Sequence, residues 1–249
     1  VVPCMGATPV FVDIDPATYN MDAASLRRAI THAKELGLRP SAVIPVDLFG
    51  LPADYPALQA IADDDNMVLI SDSAQGWGGT INGRMTGTFG RVTTTSFFPA
   101  KPLGCYGDGG AIFTDDADLA ARLDSFRVHG KGTEKYENVR IGMNSRLDTL
   151  QAAILLEKLT IYADEIEARN AVAERYTKML QTRFVTPHVP ENYRSIWAQY
   201  TLKAESGEVR DKAIAALQRN SIPTAIYYRR PLHEQTAYAD FPTDPEGLP

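Results

Sequence analysis

A chain of 249 residues with 44% hydrophobic and 22% charged side chains has the composition of a folded globular protein, long enough for one sizeable core or two unequal domains. Its 25 basic and 31 acidic residues give a net charge of -6, which argues against a domain built to neutralise a phosphate backbone, so no nucleic-acid partner is expected. Two distant cysteines, Cys4 and Cys105, argue against a disulfide framework or thiolate metal site, and no apolar run approaches the ~20 residues of a bilayer span. The expectation is a cytoplasmic protein with no metal and no membrane partner.

In chain order, short apolar segments alternate with segments of helical period, the pattern of an α/β domain with a largely parallel sheet. A strand is expected over 9–14, a helix over 23–33, a strand over 42–46 and a helix over 53–63. Strands follow over 67–71, 92–97 and 110–114. The texture then turns helical, over 116–128, 147–159 and a charged, Ala-rich 164–180. Residues 186–192, with Pro187 and Pro190, read as a linker. Beyond it a strand over 196–203, a helix over 209–220 and a strand over 224–228 suggest a smaller α+β unit. The division is a large domain over 1–184 and a small one over 185–249. The chain opens at Val1 without methionine or signal peptide and stops at Pro249 without a terminal helix, which reads as a fragment whose two domains are both incomplete.

In an open α/β sheet, chemistry gathers at the carboxyl ends of the strands. Two such places stand out. The first is Ser71-Asp72-Ser73-Ala74-Gln75-Gly76, where an apolar strand delivers an acid and, three residues on, an amide. A plain alternative is that Asp72 caps a following helix; a Walker-type acid would need a GxxxxGK[ST] loop, which the chain lacks. The second is Ser96-Phe97-Phe98-Pro99-Ala100-Lys101-Pro102-Leu103-Gly104, followed by Gly107-Asp108-Gly109-Gly110. A lysine held between prolines cannot sit inside a helix, so its backbone is pinned. Aromatic residues before it and glycines after it make a setting where an amine is partly desolvated, as Schiff-base chemistry requires. The plain alternative is an exposed loop lysine.

These linked motifs resemble the nucleotide-sugar aminotransferases of the DegT/StrS family. The similarity continues through His129-Gly130, Gly142-Met143-Asn144-Ser145-Arg146-Leu147-Asp148 and Gln151-Ala152-Ala153, and resumes weakly at Tyr227-Tyr228-Arg229-Arg230-Pro231-Leu232-His233. Within the family it is greatest to enzymes that aminate a UDP-linked 3-keto N-acetylglucosaminuronate for surface polysaccharides such as O-antigen.

The resemblance implies fold type I, a mixed, mostly parallel sheet flanked by helices, and pyridoxal 5'-phosphate as cofactor. It implies that Lys101 carries the cofactor as a Schiff base and shuttles a proton, that Asp72 pairs with the pyridine nitrogen, and that Gln75 meets the 3-hydroxyl oxygen. Ser96 would donate to the cofactor phosphate, and Asn144 to the phosphate bound by a neighbouring subunit of a homodimer. Arg146 is a candidate for an acidic substrate group, because a guanidinium suits carboxylate and phosphate, or else for a helix-start salt bridge. Tyr228, Arg229, Arg230 and His233 lie in a loop implied to contact the sugar nucleotide, where Tyr227-Tyr228-Arg229 departs from the His-Tyr-Pro of many relatives. Glutamate is the implied amino donor.

Other classes are weighed against this one. A Rossmann oxidoreductase needs GxGxxG, which is absent. A sugar dehydratase of the same family replaces the lysine with histidine, against Lys101. A truncated, non-catalytic homologue is the remaining alternative. The family's phosphate-cradling helix start and stacking aromatic do not precede Val1, so residues 1–249 alone are expected to bind the cofactor weakly and turn over nothing.

Overall fold

The structure, a computed structural model, describes residues 1–134 and 136–248. Its elements in chain order are α1 (Ala23–Glu35), β1 (Ala42–Val43), α2 (Tyr55–Asp64), β2 (Val68–Asp72), β3 (Thr80–Ile81), β4 (Arg84–Met85), β5 (Val92–Ser96), β6 (Gly110–Phe113), α3 (Ala117–Arg127), α4 (Thr149–Leu159), α5 (Tyr162–Leu180), β7 (Tyr193–Arg194) and α6 (Gly207–Arg219). Among the described residues no helix is long and apolar enough to cross a membrane. The chain divides into two compact units, one of Val1–Pro40, Val172–His188 and Tyr200–Pro249, the other of Ser41–Ala171 and Val189–Gln199.

The second unit holds the main sheet, in the order β1-β2-β5-β6. β1 pairs with β2 and β2 with β5 in parallel, Asp72 lying opposite Thr94, while β6 runs antiparallel to β5 with Ser96 opposite Gly110. Burial alternates along both central strands: Leu69, Ser71, Thr93 and Thr95 are buried, and Ile70, Asp72, Thr94 and Ser96 half-buried. Because side chains alternate with period two and register partners share a face, Asp72, Thr94 and Ser96 project from the same side. Helix α2 supports the sheet with Tyr55, Leu58, Ile61 and Ala62 at helical spacing, all buried. Its start is capped by Asp54, whose carboxylate accepts from the Ala57 N–H at 3.2 Å, followed by a proline in the first turn. A smaller sheet, β4-β3-β7, was not foreseen. Its hairpin turns at Asn82-Gly83, both at positive φ (50° and 78°), the signature of a tight β-turn.

A core of Phe97, Leu103, Cys105, Leu155, Tyr162, Ile166 and Ile196, with Trp77 and Leu147 against it, gathers residues from β5's exit, α4 and α5. Three of these, Phe97, Leu103 and Cys105, belong to the loop that contains Lys101.

The first unit is built around α1. Leu26, Ala29, Ile30 and Ala33 are buried on one stripe, and Asp22 caps the helix by accepting from the Ser25 N–H at 2.7 Å. Asp244, only 1% exposed, ties the last residues to this helix. It accepts from Ser25 Oγ at 2.5 Å, and from Arg28 through Nε at 3.0 Å and Nη2 at 2.5 Å. The Arg28 guanidinium, aided by Ser25, holds the Asp244 carboxyl down to about 2. A carboxyl depressed in the folded state contributes stability above its unfolded value, near 4, that is lost as pH falls through about 2. We expect Arg28→Met to destabilise the fold at pH 7, because the Asp244 carboxylate loses its partner. The difference should shrink between pH 4 and pH 2, where wild type loses the same contribution. Urea unfolding at pH 7, 4 and 2 measures it, and a gap constant across that range would refute this account.

Three strand expectations are corrected. Residues 9–14 make only single bridges, Phe11 to Thr243 and Ile14 to Met21, and so lack a continuous ladder. Residues 196–203 are interrupted at once by Trp197 at φ 53°, and only Lys203 bridges, to Val185. Residues 224–228 end in a turn, with Tyr228 at φ 51°. A left-handed residue reverses the chain direction and breaks the alternation a strand needs.

Candidate active site

The loop after β5 is rigid for reasons that can be named. Lys101 N donates to Phe98 O at 2.8 Å, closing a turn over Pro99 and Ala100. Cys105 then folds back, its N–H donating to Phe97 O at 2.8 Å and its thiol, 0% exposed, lying 3.0 Å from the same carbonyl. Gly104 allows this close return: a Cβ there would stand 2.6 Å from Pro99 O and 2.7 Å from Phe98 O. Helix α4 fastens the far side. Gln151 Oε1 accepts from the Tyr106 N–H at 2.8 Å, and Lys158 Nζ donates to Gly104 O at 2.5 Å while standing 5.0 Å from the Tyr106 ring centroid. Lys101 itself is half-buried, and among the described residues its Nζ has neither a hydrogen-bond nor an ion-pair partner.

Asp72 ends β2, half-buried, with Oδ1 accepting from the Ala74 N–H at 3.0 Å. That is a turn, not a helix cap, since residues 74–78 form no helix. Oδ2 has no partner among the described residues. Three residues on, Gln75 is 8% exposed and its Oε1 accepts from the Phe49 N–H at 2.9 Å, which orients the amide. Ser96 ends β5 on the face it shares with Asp72. Its Oγ accepts from the Phe98 N–H at 3.2 Å, so its proton remains available to a ligand.

The remaining candidates lie on other segments of the chain. Asn144 and Arg146 are exposed in the same unit, where Arg146 Nε donates to Asn144 Oδ1 at 3.1 Å, and no ion pair joins Arg146 among the described residues. Tyr228, Arg229, Arg230 and His233 belong to the other unit. There Arg230 O accepts from Gln235 Nε2 at 3.1 Å, the His233 ring lies 6.2 Å from that of Phe11, and Arg229 helps hold the Asp211 carboxyl low, after Arg210. A cavity of about 940 Å³ between β5, β6 and α3 includes none of the predicted site residues.

The sequence reading passed over Asp47, Tyr55 and Ser73. Asp47 is fully buried behind the Asp72 turn, accepting from Ala53 N at 3.0 Å, Tyr55 Oη at 2.6 Å and Ser73 Oγ at 2.5 Å. An acid soon after a strand reads as a solvated loop residue. The available signal was Tyr55, an aromatic with a polar tip on the apolar stripe of a helix, which requires a buried acceptor.

A carboxylate with one open oxygen and a hydroxyl with a spare proton thus end two adjacent parallel strands, and an unpaired amine follows on the loop after the second. That places the chain among α/β proteins whose chemistry is at the strand ends. The profile of the DegT/DnrJ/EryC1/StrS aminotransferase family matches residues 1–249, and the chain belongs to that family. It is 46% identical over 240 residues to the UDP-2-acetamido-2-deoxy-3-oxo-D-glucuronate aminotransferase of Pseudomonas aeruginosa, covering 96% of this chain and 64% of that one. Among solved structures, a DegT DnrJ EryC1 StrS aminotransferase from Brucella abortus superposes with a TM-score of 0.96 at 53% identity, covering 100% of this chain and 66% of that one. NtdA from Bacillus subtilis, solved with bound cofactor PMP, gives a TM-score of 0.83 at 30% identity, covering 94% and 53%. The chain therefore spans less than two thirds of the length of these relatives. With these neighbours, the mixed, mostly parallel sheet flanked by helices is the fold type I sheet.

The donor set suits a pyridoxal phosphate: an amine for its aldehyde, an acid for its ring nitrogen and a hydroxyl for its phosphate. The residues present fit the group.

Proposed function

We propose that the whole protein transfers an amino group from an amino acid, glutamate, to a keto sugar nucleotide, with pyridoxal 5'-phosphate held by Lys101. The observation that carries this reading is the unpaired Lys101 amine on a loop fixed by core contacts, following the strand beside the one that ends in Asp72. When bound, the cofactor supplies an electron-withdrawing ring that takes up the charge left when a proton is removed from a substrate carbon. Lys101 would hold the aldehyde carbon, then, once displaced, move a proton between the two carbons involved. Asp72 would keep the ring nitrogen protonated through its open oxygen, Gln75 would steady the 3-hydroxyl oxygen, and Ser96 would donate to the phosphate. Asn144, exposed, is proposed to reach the phosphate of a second subunit in a homodimer.

The substrate proposed is a UDP-linked 3-keto sugar acid used for surface polysaccharide such as O-antigen, supported by the identity to the Pseudomonas enzyme. Arg146, Tyr228, Arg229, Arg230 and His233 are proposed to meet it, the arginines at its anionic groups. We further propose a cytoplasmic site of action, and large and small domains that divide at 184/185 in the whole protein. Assay of the whole protein with glutamate against 3-keto and 4-keto sugars carried on UDP and dTDP tests the reading. Turnover of the UDP 3-keto acid well above the others is expected. Activity confined to free amino acids would refute the substrate assignment.

A further inference from the structure

Among the described residues, the most completely enclosed carboxylate lies outside the motifs around Asp72 and Lys101. Asp47, 0% exposed, sits between β1 and the start of α2. Its three donors, Ala53 N–H, Tyr55 O–H and Ser73 O–H, occupy both oxygens. Tyr55 also meets Ser71, which lies 3.2 Å from Ser73, so the two serines flanking Asp72 in sequence both join the network. The backbones are linked as well: Asp47 N donates to Asp72 O, and Asp72 N to Pro45 O, each at 2.9 Å. The far end of the turn rests on the same residue, since a Cβ on Gly76 would stand 2.2 Å from Asp47 Cβ. Leu48–Gly50, the helical turn directly after Asp47, includes the Phe49 N–H that orients Gln75.

An ionised group held this deep is costly, and its three hydrogen bonds offset only part of the cost. Burial raises the Asp47 carboxyl to about 6 against the lowering effect of Ser73, Tyr55 and Ala53, and the Asp72 charge adds to the rise. The titratable groups acting on it are Tyr55 from α2 and Asp72 from β2. Above pH 6, then, two carboxylates lie one behind the other, only the outer one half-exposed. A neutral amide would fill the inner position with its oxygen facing Ala53 and Tyr55 and its NH2 facing Ser73, whose proton can turn to Ser71. A buried charge whose hydrogen bonds run to Ser73 and to the backbone of Asp72 itself points to a task in the Asp72 turn.

We propose that Asp47 is a positioning residue for Asp72: through Ser73 and the Asp72 backbone it fixes the turn that presents the Asp72 carboxylate, and its buried charge holds a proton on the group that Asp72 faces. This rests on the reading that Asp72 pairs with the cofactor's ring nitrogen. A negative charge behind Asp72 favours the protonated, positively charged form of the group that Asp72 faces.

Asp47→Asn separates charge from shape. A carboxyl raised in the folded state contributes stability below its unfolded value that is lost as pH rises through about 6. The variant without cofactor should therefore melt higher than wild type at pH 8, by about 3 °C or more, with the gap narrowing from pH 6 to pH 4. Loaded with pyridoxal phosphate, it should react with glutamate about tenfold more slowly at pH 8 in single-turnover absorbance measurements, one unit of proton affinity being a factor of ten. The fall in wild-type rate below pH 6 should be flatter in the variant. A variant that melts lower or fails to fold overturns the proposal, because Asp47 is then a structural anchor only. A variant that melts higher yet keeps the wild-type rate and pH profile overturns the positioning role while leaving the reading of Asp72 intact. A whole wild-type protein that shows no visible band with pyridoxal phosphate sinks that reading itself, and the positioning role with it, whatever the melting comparison gives.

Discussion

Lys101→Ala in the whole protein is expected to abolish amino transfer, with the loss reaching the limit of detection. Two tasks fall on one amine: holding the cofactor aldehyde and moving a proton within the active site. General acid–base transfer alone is worth on the order of 10² to 10⁴ in rate, and the loss of covalent attachment adds to that. The loop should survive the substitution. Its shape depends on the Phe98 to Lys101 backbone turn, on Cys105 and Gly104, and on Gln151 and Lys158 of α4, none of which uses the Lys101 side chain. The variant should therefore fold like wild type and differ in chemistry alone. Borohydride reduction of the wild-type protein with pyridoxal phosphate, followed by peptide mapping, should place the pyridoxyl group on Lys101. Label on another lysine would end the assignment.

Asp72→Asn is expected to leave the cofactor bound and slow transfer by several orders of magnitude, on the order of 10³ or more. The amide keeps the local turn, because its oxygen can accept from the Ala74 N–H as Oδ1 does now. What it cannot do is hold a positive charge at the ring nitrogen, which is the source of the ring's electron demand. A lower rate with an unchanged cofactor dissociation constant is thus the specific signature, read by single-turnover kinetics beside a binding titration. Near-normal turnover would reduce Asp72 to the turn-forming residue that its bond to Ala74 already makes it.

The elements legible in the sequence are those whose signals are local. Helices α1, α2, α3 and α6 each follow an Asp or Ser that accepts from an N–H in the first turn, and α1 and α2 also carry a clear apolar stripe. Strands β2 and β5 are apolar or β-branched runs that stop at polar residues. The elements read wrongly or not at all depend on distant partners or on single backbone angles. β3 and β7 are two residues each and pair across more than a hundred positions, Ile81 with Tyr193, which no window of sequence can register. Residues 196–203 have the composition of a strand, but Trp197 takes a left-handed conformation within a tightly packed stretch where Gly50 has no room for a Cβ.

The same division runs through the site. Sequence alone determined that Lys101 is pinned, since two prolines act on backbone angles wherever the chain goes, and that Asp72, Gln75, Ser96 and Lys101 occur in the order of a known family. It also determined the α/β class, because alternating apolar periods are a property of each segment by itself. Only the tertiary structure decided that Asp72 and Ser96 share a face, through the parallel register of Asp72 with Thr94. It alone decided that Asn144 spends its side-chain oxygen on Arg146, and that an unremarkable acid at position 47 lies buried beneath the turn that carries Asp72. The physical reason is that burial and register are relations between segments. Desolvation at Asp47 comes from atoms of β2, α2 and the turn between Ser73 and Gly76 arriving together, and none of them is its neighbour in sequence.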